Sequence, residues 1–163
     1  MFRVVLSCAC FWMLGQASAF ADDLPSAIAA TGMTVVKTLH AEGAQIYECK
    51  ASSDNKAAWQ FREPVAALFE NGRTIGTHFA GPSWRIGDTT LEAKVVAKVP
   101  GGEIDDVPWL KLEVVRHSGA GPLDKVTTIQ RIHTKGGNFV GTCADVGSLH
   151  AVAYSADYVF LKP

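Results

Sequence analysis

Apolar and polar residues alternate with a period of two along much of the chain, which is the pattern of a strand with one buried face. The alternation is clearest in residues 58–62, 91–95 and 109–115. Runs of this kind are separated by short segments rich in Gly, Pro and Asn, and Asn71-Gly72 is the strongest hairpin signal among them. Helical periodicity is almost absent. The pattern therefore predicts an all-β fold, a single-domain antiparallel β-sandwich or small β-barrel, and leaves the choice between the two open.

Two positions predict early strand ends. Gly43-Ala44 breaks the run that starts at residue 33, so residues 33–40 and 45–49 are expected to be separate strands. Pro64 interrupts the run that starts at residue 58, because proline cannot donate to a strand ladder.

Residues 76–84 hold a His, a Phe and a Trp around a predicted turn at Gly81-Pro82. The turn brings His78, Phe79 and Trp84 close to a bend, which either lines a pocket or forms a packed corner. We take these three residues and Trp109 as candidate ligand-binding residues. A small apolar or aromatic molecule is the ligand that such side chains favour.

The N-terminus has the pattern of an export signal: Arg3, an apolar run over residues 4–14, and Ala19-Phe20-Ala21 at the expected cleavage site. Cleavage after Ala19 is the alternative. The run is shorter than the roughly 18–20 residues that a membrane span needs. We therefore predict a signal peptide over residues 1–21 and a single β domain over residues 22–163, with little helix and no membrane span after cleavage. The predicted location is periplasmic or extracellular.

Charge gives no reason to expect nucleic acid as a partner. Without residues 1–21 the chain keeps 14 basic and 16 acidic residues. Proteins that bind nucleic acid usually carry a basic surface, which this balance does not predict.

Cysteine usage predicts one cross-link. The chain has four cysteines, and Cys8 and Cys10 lie within the predicted signal peptide. Cys49 and Cys143 remain, and in an oxidising compartment an even pair favours a disulfide. Two buried free thiols are the alternative.

Short motifs follow one another in order along the chain. They lie at residues 43–49, 59–64, 76–84, 107–110, 126–131, 136–137, 141–143 and 154–158. Taken together, these motifs resemble the exported family known as domain of unknown function 3455. The resemblance covers residues 34–160 and implies export and the cysteine pair, with no catalytic residues to carry over.

His78 is either a structural histidine bonded to the backbone of a turn or the main candidate for chemistry, as a general base, a metal ligand or a hydrogen-bond partner of a ligand. The chain has no H-x-H, H-E-x-x-H or C-x-x-C motif, so we predict no metal site and no cofactor. These observations favour a non-enzymatic small-ligand-binding or envelope-associated module. The alternative is a secreted hydrolase or metal-dependent enzyme that uses His78. The oligomeric state is left open.

Two further groups of charged residues each allow two interpretations. Glu103, Asp105 and Asp106 either hold Ca²⁺ or belong to a solvated loop. Arg131 either faces solvent or points inward, where it would need a partner, and Asp157 on the last strand is a candidate for that partner.

Overall fold

The computed structural model describes residues 24–51 and 56–163. The predicted signal peptide lies outside these residues. Eight strands account for most of the described chain, and none of its segments is a helix long and apolar enough to cross a membrane. The strands are β1 (Thr34–Ala51), β2 (Ala57–Glu70), β3 (Arg73–Phe79), β4 (Ser83–Ile86), β5 (Thr89–Val99), β6 (Trp109–Ser118), β7 (Thr128–Gly136) and β8 (Leu149–Lys162).

The strands form one closed antiparallel barrel. Each strand pairs with its neighbours in the sequence, and β8 pairs with β1 to close the ring. The predicted all-β antiparallel fold is confirmed, and the barrel is the form that it takes. Closure leaves none of these eight described strands at an open edge of the sheet.

The predicted breaks at Gly43 and Pro64 were wrong. β1 runs without interruption through Gly43, and β2 runs through Pro64, which pairs with Gln45. β3 pairs with β2 only from Ala66 onward, so at Pro64 one side of the strand carries no ladder to β3 and the missing N–H is tolerated. Gly43 marks a close approach of two strands, since a Cβ there would lie 2.1 Å from the carbonyl oxygen of Val65.

We expect Gly43→Ala to lower the free energy of unfolding by about 3 kcal/mol, because the added methyl group forces the β1 and β2 backbones apart. Gly72→Ala is the control: it meets no atom within 4 Å and suffers only from its φ of 75°. That strain costs about 1 kcal/mol. Urea unfolding of both variants measures the difference, and equal losses would contradict the close approach.

The barrel interior is filled by large inward-facing side chains. Eight strands enclose a space just wide enough for side chains to fill or for one small ligand. Here the largest fully buried side chains include Trp84, Tyr158, Phe160, Leu39, Leu68, Leu91, Leu112 and Ile129. The interior is thus a hydrophobic core.

A second apolar cluster lies on the outer wall of the barrel, where the chain before β1 covers β7 and β8. Ile28 is completely buried against Ile132, Val159 and Leu161. The amide of Gln130 donates a 2.7 Å hydrogen bond to the carbonyl oxygen of Ile28. Because this segment covers the outer face, residues 159–161 are buried on both faces of β8. They accordingly form a continuous apolar run in the sequence.

The predicted Cys49–Cys143 disulfide is present. It ties the end of β1 to the segment between β7 and β8, whose backbone also pairs with the start of β2 through Cys143 N and Ala57 O at 3.1 Å. Phe139 from this segment contacts the rings of Trp59 and His150, with centroid distances of 6.1 and 4.5 Å. The cross-link therefore fixes a long connection against one end of the barrel.

Candidate functional site

The predicted bend places His78 and Trp84 inside the barrel. They lie directly opposite each other in the β3–β4 hairpin, and their rings stack with centroids 4.6 Å apart and planes 11° apart. Tyr158 lies 4.9 Å from the His78 ring. His78 is 3% exposed and Trp84 is 1% exposed, so both rings form part of the core.

The other two candidate residues lie elsewhere. Phe79 follows His78 in β3 and is half-buried, and strand alternation puts it on the opposite face. Trp109 begins β6, packs against the outer cluster and meets the ring of His133 edge-on at 5.4 Å. Of the four residues, only His78 and Trp84 contact each other.

Burial lowers the pKa of His78 from 6.5 to about 3. Desolvation is the largest cause, the hydrogen bond to Ser83 opposes it, and the charge of Arg131 adds a smaller decrease. The Nδ1–H donates to the Ser83 carbonyl oxygen at 2.8 Å, so the ring is neutral at pH 7. Because the imidazole of His78 is buried and neutral, its environment does not support the hypothesis of an enzyme that uses His78.

This lowered pKa predicts acid destabilisation. The unfolded chain takes up the proton first as pH falls, so the stability from neutral His78 is complete above pH 6.5 and is lost between 6.5 and about 3. We expect the free energy of unfolding to fall with pH more steeply in the native protein than in His78→Phe, by up to about 1.4 kcal/mol per pH unit. Denaturant titrations between pH 6 and 4 measure both slopes, and parallel slopes would contradict a buried neutral His78.

Arg131 points inward, but its suggested partner was wrong. Its Nε and Nη2 donate to the carbonyl oxygen of Pro108 at 3.1 and 2.8 Å. Arg131 lies opposite Tyr158 in the β7–β8 register, whereas Asp157 is one position away and faces outward. Burial raises the pKa of Tyr158, and the nearby guanidinium charge partly offsets that effect.

Asp106 stabilises the loop before β6. Its carboxylate accepts hydrogen bonds from the backbone N–H of Gly136 at 2.7 Å and of Glu103 at 3.0 Å. The Gly136 bond is the main cause that lowers the pKa of Asp106. Within residues 24–51 and 56–163 no group of three His, Cys, Asp or Glu side chains is arranged to hold a metal ion.

A groove of about 980 Å³ opens on the outer wall, between the segment before β1 and the outer faces of β1, β7 and β8. Apolar side chains form most of its lining, and Asp157 is the one charged side chain among the lining residues. They are Leu24, Ala29, Ala30, Thr31, Gly32, Met33, Val35, Thr38, Gln130, Ile132, His133, Asp157, Val159 and Leu161.

Two histidines flank Asp157 at the edge of this groove. The Nδ1 atoms of His40 and His133 each lie 2.9 Å from a different oxygen of Asp157. His40 and Asp157 face each other across β1 and β8, while His133 reaches Asp157 from β7. This trio was not predicted from the sequence, because only the register of three neighbouring strands brings the side chains together.

These features define a closed eight-stranded antiparallel barrel with a filled interior and a mostly apolar groove on its outer wall. Residues 29–162 match the family described as "Protein of unknown function (DUF3455)", and the chain belongs to this family. The match confirms the resemblance found in the sequence motifs. No curated protein and no solved structure matches the chain.

Proposed function

We propose that this protein is an exported, single-domain barrel of residues 22–163 that binds a small, mostly apolar molecule in the outer groove. The observation that carries the proposal is the groove itself, whose volume lies within the range of typical small-molecule sites. Like those sites, it combines an apolar lining with a few polar side chains, here Thr31, Thr38, Gln130, His133 and Asp157.

The groove replaces the bend at His78 as the proposed site. His78 and Trp84 contact each other and Tyr158, so these rings occupy the interior that a ligand would need. Of the residues predicted from the sequence, Trp109 belongs to the proposed site, because its ring packs against His133 at the edge of the groove.

Two observations support export to the periplasm or the extracellular space. The Cys49–Cys143 disulfide is a cross-link that persists in oxidising compartments. The sequence of residues 1–21 has the charge, apolar run and small residues of a cleavable signal.

Val35→Asp tests the groove directly. Val35 lines the groove and is 56% exposed, so the substitution adds a charge to the groove surface that a ligand would contact, without removing a core side chain. Val115→Asp is the matched control, because Val115 is also a strand valine that is 56% exposed and it does not line the groove. The ligand stand-in is N-phenyl-1-naphthylamine, a neutral apolar probe whose fluorescence rises in apolar surroundings.

We expect residues 22–163 to bind the probe saturably with one site per chain. Val35→Asp should weaken this binding by about tenfold or more, because an apolar ligand would have to desolvate the new carboxylate. Val115→Asp should bind as the native protein does. Absence of saturable binding, or equal losses in the two variants, would overturn the proposal.

A further inference from the structure

His133 and Asp157 contact each other in the lining of the groove, and their geometry indicates which polar group a ligand would carry. We infer that the ligand is an uncharged amphiphile whose hydroxyl group donates a hydrogen bond to Nε2 of His133. This inference rests on the proposed function, because it names the polar group of a ligand in the same groove.

Asp157 fixes the tautomer of His133. A carboxylate only accepts hydrogen bonds, so the 2.9 Å contact requires Nδ1 of His133 to carry the proton. In the neutral ring Nε2 then has a free lone pair. Among the described residues, none forms a hydrogen bond with Nε2 of His133, and 54% of its side chain is exposed. The atom is therefore an acceptor that a ligand can reach.

His40 differs from His133 in this respect. It shares Asp157 through its own Nδ1, but its Nε2 already lies 3.6 Å from Oε1 of Glu42. His40 does not line the groove, whereas His133 does. Only His133 offers its second nitrogen to a molecule in the groove, and His40 helps to hold Asp157 in place.

The backbone at His133 is strained in the way that functional positions often are. Its φ is 50°, and the only other non-glycine residue with positive φ in the described chain is Asn71, which lies in a hairpin turn. His133 falls in a shift of register between Ile132 and Lys135 of the β7–β8 pairing. Such bulges turn a side chain away from the direction that regular alternation gives it.

The charges around the groove decide between an alcohol and an acid. Among the residues that the structure describes, Asp157 is the only charged one in the lining, and no Lys or Arg lines the groove. A bound carboxylate would meet the negative charge of Asp157 in an apolar site without a cation to balance it. An ammonium group would be attracted by Asp157, but it would lose its hydration in an apolar groove, and each oxygen of Asp157 already accepts one hydrogen bond from a histidine. An uncharged hydroxyl group avoids both costs.

Displacement of N-phenyl-1-naphthylamine by three ligands of equal chain length tests the inference at pH 8, where an ordinary imidazole is neutral. We expect 1-decanol to bind about tenfold or more tightly than decanoate and decylammonium. Equal affinities, or tighter binding of either ion, would overturn the inference while leaving apolar binding in the groove intact. Failure of every probe to bind saturably would overturn the proposed function as well.

His133→Asn separates hydrogen bonding from packing. Asn tolerates positive φ, so the backbone is retained while the shorter side chain no longer offers Nε2. We expect the variant's affinity for 1-decanol, relative to its affinity for the apolar probe, to fall about fivefold to tenfold, the factor that one typical hydrogen bond supplies. His150→Asn, an exposed histidine on β8 outside the groove lining, should change neither affinity.

The nitrogen NMR spectrum of the histidine rings gives a second readout. Saturating 1-decanol should move the Nε2 resonance of His133 upfield, as expected when a lone pair accepts a hydrogen bond, and should leave His150 unchanged. A merely structural His133 would show equal losses of probe and decanol binding in His133→Asn and no ligand-dependent shift of Nε2. Either result would contradict the inference.

Discussion

Removing the Cys49–Cys143 disulfide will lower the free energy of unfolding by about 4–5 kcal/mol. The bridge joins residues 94 positions apart, and a cross-link over a loop of this length removes much of the conformational freedom of the unfolded chain. Guanidinium unfolding of residues 22–163 with and without reductant measures the effect.

The double variant Cys49→Ala/Cys143→Ala is the control for the reductant. It should unfold at the same denaturant concentration with and without reductant, close to that of the reduced native protein. A native protein whose stability changes by less than about 1 kcal/mol on reduction would show that the bridge does not restrain the unfolded chain as its loop length predicts.

Trp84→Ala will destabilise the barrel by about 4 kcal/mol, because it opens a large cavity where the ring now contacts His78, Tyr158 and Phe160. The indole Nε1 has no hydrogen-bond partner among the described residues, so the loss is one of packing. Thermal and urea unfolding measure it.

Phe61→Ala provides the comparison for Trp84→Ala. Phe61 is 53% exposed and touches the Tyr47 ring at 5.9 Å, so its loss should cost only about 1 kcal/mol. Similar losses in the two variants would mean that the interior is not the main source of stability, contrary to the filled core described above.

The strand pattern predicted most of the fold because a half-buried strand requires local alternation. The sequence predicts residues 58–62, 91–95 and 109–115 as strands, and they lie in β2, β5 and β6. The predicted strand breaks at Gly43 and Pro64 were wrong, because the effect of these residues depends on the neighbouring strand, which the local sequence does not show. Closure into a barrel depends on the pairing of β1 with β8, more than 100 residues apart in the chain.

The candidate site was less predictable than the fold. The turn at Gly81-Pro82 brings His78 and Trp84 together as expected, but local sequence does not indicate whether a bend opens to solvent or packs inward. The groove requires the segment around Ile28 to cover β7 and β8, and the His40–Asp157–His133 trio requires three strands in register. Neither arrangement can be predicted from the pattern of residues that are close together in the sequence.

Intermolecular NOE spectroscopy of residues 22–163 with 1-decanol tests ligand binding in the outer groove most directly. We expect NOEs from the alkyl chain to the methyl groups of Met33, Val35 and Leu161, which line the groove. NOEs to the interior rings of Trp84 and Phe160 instead, or no intermolecular NOEs at saturating ligand, would contradict binding in the groove.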